Sequence, residues 1–269
     1  MTGSARRLQA FLEASPEIVL VEVREALGST PREVGAWMLV APQATFGTIG
    51  GGQLEFMAID RAREMIARST ATDLLDIPLG PEIGQCCGGR VKIDMALVDA
   101  ELREAIPDRI AWEDSVRPHI YVFGGGHVGH ALAQAFALLP VRVVVIDTRA
   151  EALDDMPDAV ETRLVAVPEQ TVREAPPGSA FVILTHDHAL DFLIVAEALK
   201  RDDAGYVGMI GSATKKATFR SWYLKEAGGM QSDFERLVSP IGGAAVNDKR
   251  PAVIAALAAA EIMTALSRD

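Results

Sequence analysis

His119-Ile-Tyr-Val-Phe123 runs directly into Gly124-Gly-Gly126-His-Val-Gly129 and then into the mainly apolar residues 131–139. A short β-branched and aromatic run, a glycine-rich turn and an apolar helix in this order form the strand, turn and helix that the G-x-G-x-x-G pattern requires. In that pattern Gly124 allows the tight turn, Gly126 lets a pyrophosphate approach the backbone, and Gly129 lets the helix pack closely on the strand. The next strand, 141–146, ends at Asp147, where such units place a carboxylate that accepts hydrogen bonds from a ribose. A Rossmann-like fold that no longer binds a nucleotide would carry the same signature.

The alternation continues downstream. Strands are expected near 119–123, 141–146, 161–167, 180–184 and 206–210, with helices near 127–139, 189–200 and 213–227. That rhythm predicts a parallel sheet with right-handed crossovers and helices on both faces. Ligands of such sheets sit beyond the carboxyl ends of the strands, so the loops there are the candidate site. Two more of them carry chemistry: Thr185-His186-Asp-His188, and Gly211-Ser212-Ala-Thr-Lys215-Lys216, a cap-like helix start whose two cations could neutralise phosphate. His186 and His188 have metal-ligand spacing and His127 could join them, but no Cys or Glu nearby completes a zinc set, so no metal is expected. The plainer reading has Thr185 or Asp187 capping the following helix.

Upstream the pattern differs. A helix over 5–14, strands at 18–23, 36–41, 73–79 and 90–98, and a helix over 53–67 describe a smaller α+β domain. Two glycine-rich stretches punctuate it. Gly50-Gly-Gly52 opens a helix, an arrangement suited to an anion or simply to a turn. Gly84-Gln85-Cys86-Cys87-Gly88-Gly89 holds both cysteines of the chain, side by side; adjacent thiols cannot build a disulfide framework, and they read either as inert packing or as ligands. The overall expectation is an α/β protein: an α+β domain over 1–105, a polar, proline-bearing linker over 106–118, and a Rossmann-like domain over 119–269.

Composition limits the partners. With 26 Lys and Arg against 37 Asp and Glu, the net charge of −11 offers no global positive field for nucleic acid or an anionic membrane. The apolar stretch near the N-terminus is broken by Glu13, Ser15, Pro16 and Glu17, unlike a signal peptide, and the Ala-rich run 252–260 is too short to span a bilayer and reads as a packed helix. A cytoplasmic location is expected.

Taken together, several motifs resemble the XdhC and CoxI family of xanthine dehydrogenase accessory proteins. They are Gly28-Ser-Thr-Pro-Arg32, Gly47-Thr-Ile-Gly-Gly-Gly52 with Glu55, Leu79-Gly-Pro-Glu-Ile-Gly-Gln-Cys-Cys-Gly-Gly89, Phe123 through Gly129, Thr185-His-Asp-His-Ala-Leu-Asp191 and Gly208-Met-Ile-Gly-Ser212. The Gln85-Cys86-Cys87 run points to the XdhC branch. Near the C-terminus the chain departs from the family pattern, with Ser239-Pro-Ile-Gly242 where Cys-Pro-Ile-Gly is usual, which argues against a mechanism needing a thiol there. The resemblance implies a chaperone without turnover of its own. It would bind the molybdenum cofactor (molybdopterin), protect it and pass it to apo xanthine dehydrogenase while a cysteine desulfurase supplies sulfur. A homodimer is expected. On that reading the cofactor-binding candidates are Gly124, Gly126, His127, Gly129, Asp147, Gln85, Cys86, Cys87, His186, His188, Ser212 and Lys215. Two alternatives rest on the Rossmann unit: an NAD-dependent oxidoreductase, which Gly124, Gly126, Gly129 and Asp147 fit on their own with His127 or His188 as acid or base, and a nucleotide-sensing module without chemistry.

Overall fold

The computed structural model describes residues 3–80, 88–243 and 245–267. The chain forms two compact units, divided between Trp112 and Glu113.

The first unit is an antiparallel sheet covered on both faces. Its elements are α1 (Gly3–Ala14), β1 (Val19–Leu27), β2 (Trp37–Val40), β3 (Thr45–Gly47), α2 (Gly52–Arg68), β4 (Thr72–Pro78), β5 (Arg90–Leu97) and α3 (Ala100–Ser115), with strand order β3-β2-β1-β5-β4. Side chains alternate across the pleat, so β1 and β2 feed two cores. Val19, Val21, Val23, Met38, Val40, Ile93 and Met95 face Leu54, Ala58, Ala62 and Met65 of α2. Ile18, Trp37 and Leu39 pack instead with Leu8 of α1 and with Ile106 and Ile110 of α3. Helix α3 corrects the linker expected over 106–118. Leu102, Ile106 and Ile110 recur every fourth residue, Asp99 Oδ1 accepts from the Leu102 amide at 2.9 Å to start the helix, and Ile106 and Ile110 are buried. Its high charge density and the internal Pro107 hid this amphipathic stripe.

The second unit is a doubly wound α/β sheet. Its strands are β6 (His119–Phe123), β7 (Arg142–Asp147), β8 (Glu161–Leu164), β9 (Ala180–Ile183), β10 (Tyr206–Met209) and β11 (Leu237–Val238). They are parallel throughout, in the order β11-β10-β9-β6-β7-β8. The chain starts at the centre with β6, winds outward through β7 and β8, then returns to lay β9 on the other side of β6. The topological switch therefore falls between β6 and β9, where open α/β sheets have a crevice. Helices α4 (His127–Phe136) and α9 (Pro251–Leu266) cover one face, burying Ile120, Val122, Val143 and Val145 with Leu132, Phe136, Ala258 and Ile262. Helices α5 (Pro168–Glu174), α6 (His188–Leu199) and α7 (Ala213–Lys225) cover the other, over Tyr121, Phe123, Val144, Ile146, Phe181 and Ile183. The Ala-rich run expected as a packed helix is α9. The two-residue β11, the five-residue α8 (Gln231–Glu235) and α5 were not anticipated, being shorter than a periodicity reading resolves. Among the described residues no helix is long and apolar enough to cross a membrane.

Candidate functional site at the carboxyl edge of the parallel sheet

The glycine-rich loop after β6 is shaped mostly by the chain itself. Gly124 has φ +120°, and a Cβ there would lie 2.4 Å from the Leu184 carbonyl oxygen. A Cβ on Gly125 would meet the Ala152 carbonyl at 2.1 Å, and one on Gly129 would meet the Gly124 carbonyl at 2.0 Å. No side chain fits at these three positions without moving backbone. Gly126 is different. Its φ of −72° suits any residue, and a Cβ would find nothing within 4 Å. Nothing in the fold of this unit requires a glycine at 126; what its bare backbone leaves open is approach from outside. Gly126 is also the N-cap of α4 and makes no side-chain capping hydrogen bond, so the first-turn amides of α4 have no capping acceptor from that residue. Such amides and the aligned helix dipole favour an anion.

Asp147, at the end of β7, is buried against this loop. Its Oδ2 accepts from the Gly125 amide at 2.8 Å and from Arg149 Nη2 at 3.2 Å, and its Oδ1 accepts from the Arg149 amide at 3.0 Å and Arg149 Nε at 3.1 Å. Burial pushes the carboxyl up, but the bonds from Arg149 and Gly125 outweigh it and hold the group below its usual range. Arg149 was not singled out from the sequence. The signal was available as an arginine two residues beyond the acid that ends the second strand.

The loops after β9 and β10 are tied together by a second carboxylate. Asp191, in the first turn of α6, is fully buried and accepts from the Thr185 amide at 2.9 Å and from Thr185 Oγ1 at 2.7 Å through Oδ1. Its Oδ2 forms an ion pair with Lys215 Nζ, which also donates to the Ile210 carbonyl at 3.0 Å. Lys216 Nζ donates to the Leu237 carbonyl at 3.2 Å. Neither lysine therefore presents the free ammonium expected to neutralise phosphate; both are drawn onto acceptors of their own unit. The capping expectation is met by Asp187, whose carboxylate accepts from the Ala189 amide at 2.8 Å, and by Ser212, whose hydroxyl accepts from the Lys215 amide at 3.3 Å. His127, His186 and His188 are exposed. Among the described residues no group of three His, Cys, Asp or Glu is placed to hold a metal. A small cleft between the ends of β6, β7 and β9 is lined by Phe123, Ile146, Asp147, Thr148, Thr185 and His186. The structure thus gathers Gly124, Gly126, Gly129, Asp147, His186, Ser212 and Lys215 along the carboxyl edge of one sheet.

In the first unit the loop that opens α2 answers the question left open by its glycines. Glu55, from the first turn of α2, turns back so that its Oε2 accepts from the Ile49 amide at 3.0 Å, the Gly51 amide at 3.1 Å and Thr48 Oγ1 at 2.5 Å. The anion in this nest is the chain's own carboxylate. Gln85, Cys86 and Cys87 lie outside the described residues. On either side of them in sequence, β4 and β5 are joined beyond their ends by hydrogen bonds from the Leu79 amide to the Gly89 carbonyl and from the Gly88 amide to the Leu79 carbonyl, at 2.8 and 2.7 Å.

Strand order, glycine-rich turn and acidic residue define the class: a Rossmann-type unit joined to an α+β unit. Residues 120–262 match the XdhC Rossmann domain and residues 11–77 match the XdhC and CoxI family. The chain belongs to the XdhC family. An Escherichia coli K12 relative, the uncharacterized protein YqeB, is 25% identical over 252 residues, covering 86% of this chain and 40% of its own length, so this chain spans about two fifths of that relative. A crystal structure described as that of a xanthine dehydrogenase from Bacillus halodurans superposes with a TM-score of 0.81 at 19% identity, covering 100% of this chain and 97% of that one. That likeness establishes the fold.

Proposed function

We propose that the protein is a maturation factor without turnover of its own, which binds molybdenum cofactor at the carboxyl edge of its Rossmann unit, shields it and delivers it to apo xanthine dehydrogenase. The observation that carries this reading is Gly126. Its missing side chain serves no contact within the fold of the unit, and it stands where a phosphate would reach the amides of α4. Membership of the XdhC family is what supports proposing molybdopterin as the phosphate-bearing ligand and xanthine dehydrogenase as the recipient. The thiols of Cys86 and Cys87 are proposed as soft ligands for molybdenum or its sulfido group, with the sulfur supplied by a cysteine desulfurase.

The same loop would serve an NAD-dependent oxidoreductase. Against it stands Asp147, whose oxygens are already engaged by Gly125 and Arg149 rather than free for a ribose diol. Calorimetric titration under anaerobic, reducing conditions separates the two. Binding of molybdenum cofactor with a Kd of about 1 μM or tighter, near −8 kcal/mol, without response to NAD is the expected result. Binding of NAD alone overturns the proposal in favour of an enzyme or a nucleotide sensor.

A further inference from the structure

The acceptor at the end of β7 is saturated, and the group that saturates it carries unused donors. A carboxylate offers roughly four lone-pair positions. Asp147 receives the Gly125 amide, the Arg149 amide, Arg149 Nε and Arg149 Nη2. A ribose diol arriving here finds no acceptor until the Arg149 side chain leaves. The Arg149 side chain is 39% exposed while that of Asp147 is 3% exposed, and Arg149 Nη1 makes no hydrogen bond among the described residues. Lys215 and Lys216, the neighbouring cations on the same edge, are spent on Asp191 and on backbone carbonyls. Glu151 is close enough to act on the guanidinium electrostatically, but Arg149 bonds Asp147 and not Glu151.

From this geometry we infer that Arg149 makes the carboxyl edge select a phosphate monoester over a free ribose diol. The inference rests on the reading that this edge is the ligand site. With Asp147 neutralised from one side, the outer edge of a planar guanidinium is matched to a phosphate dianion, which accepts charge-assisted, bidentate hydrogen bonds, and poorly matched to neutral hydroxyls that need an acceptor. The same chemistry is offered by a 2′-phosphorylated dinucleotide and by the phosphate of a pterin cofactor with no attached nucleotide.

Titration of the whole chain with NADP, NAD and molybdopterin, in wild type and in Arg149→Gln, tests the inference and distinguishes the sources. The substitution leaves the Gly125 and residue-149 amides on Asp147. A dinucleotide source predicts NADP binding at least about tenfold tighter than NAD, with the preference lost in Arg149→Gln. A pterin source predicts molybdopterin binding weakened by about tenfold in the variant with neither nucleotide bound. Equal or tighter binding of NAD, or molybdopterin binding unchanged in Arg149→Gln together with no Arg149-dependent NADP preference, overturns it. Should Arg149→Gln not fold, Arg149→Lys keeps the charge without the planar fork, and undiminished selectivity there overturns it equally. Failure of the chaperone reading looks different: wild type then does not bind molybdopterin at all, whatever Arg149 does to the nucleotides.

Discussion

Lys215 and Asp191 form an ion pair beneath the carboxyl edge of the parallel sheet, with their side chains 9% and 0% exposed, and the same carboxylate holds the amide and hydroxyl of Thr185. One acid thereby fastens the loop after β9 to the helix after β10. Removing one member of a buried pair leaves the other charged and unpaired, which typically costs about 3–5 kcal/mol. Asp191→Ala is expected to lose at least about 3 kcal/mol by urea unfolding. The double variant Asp191→Ala, Lys215→Met should recover part of that loss, because the stranded ammonium is gone. Additive losses in the double-mutant cycle would show that the pair is not coupled.

Gly129 and Gly126 are expected to respond in opposite ways to the same methyl group. Gly129→Ala drives a Cβ to 2.0 Å from a backbone oxygen, and the helix and strand must separate. A loss of about 3 kcal/mol or more follows, read as a lowered urea midpoint. Gly126→Ala enters open space and should cost no more than about 1 kcal/mol, the scale of a weaker helix N-cap. Its effect falls on the ligand: molybdopterin binding should weaken by about tenfold or more as the methyl displaces a phosphate from the α4 amides. Full-strength binding by Gly126→Ala would move the phosphate elsewhere.

Much of this edge was legible in the sequence, for a physical reason: the turn after β6 is constrained by backbone contact at 124, 125 and 129, and glycine is the sole residue that meets the constraint there. The α/β alternation was legible because β6, β7, β9 and β10 are mainly buried apolar runs and α4, α6 and α7 are each ten residues or longer. What was hidden is partnership across sequence distance. Lys215 reads as a free cation, since nothing in its neighbourhood reveals a carboxylate placed 24 residues earlier. Glu55 reads as an ordinary helix-start acid until the chain folds the loop 48–51 around it. Helix α3 was obscured differently. Its stripe of Leu102, Ile106 and Ile110 is periodic, but two prolines and a dense run of charges outweigh three residues in a composition reading.

The Glu55 nest gives a pH dependence of definite sign. Burial raises the carboxyl, yet the bonds from Thr48 and from the amides of Gly51, Ile49 and Gly50 bring it below its ordinary value of 4.5. A depressed folded-state value means the unfolded chain takes up the proton first as pH falls, so the stabilisation is present above 4.5 and drains away below it. Glu55→Gln should therefore be less stable than wild type at pH 7, with the gap narrowing as the pH is lowered through that range. A gap constant from pH 7 to pH 3 in urea unfolding would show that the charge of Glu55 is not what holds the loop.

The two thiols allow the last separation between cofactor carrier and bare nucleotide module. If Cys86 and Cys87 hold molybdenum or its sulfido ligand, Cys86→Ala and Cys87→Ala should each lose cofactor faster than wild type, with unfolding transitions close to wild type. Retention is measured by gel filtration of loaded protein followed by metal analysis of the protein peak. The joining of β4 and β5 beyond their ends is independent of the substitutions, since the bonds between Leu79 and Gly88 and Gly89 are made by backbone alone. Retention equal to wild type in both single variants and in the double variant would remove the thiols from the site and leave the binding to the phosphate contacts at Gly126 and Arg149.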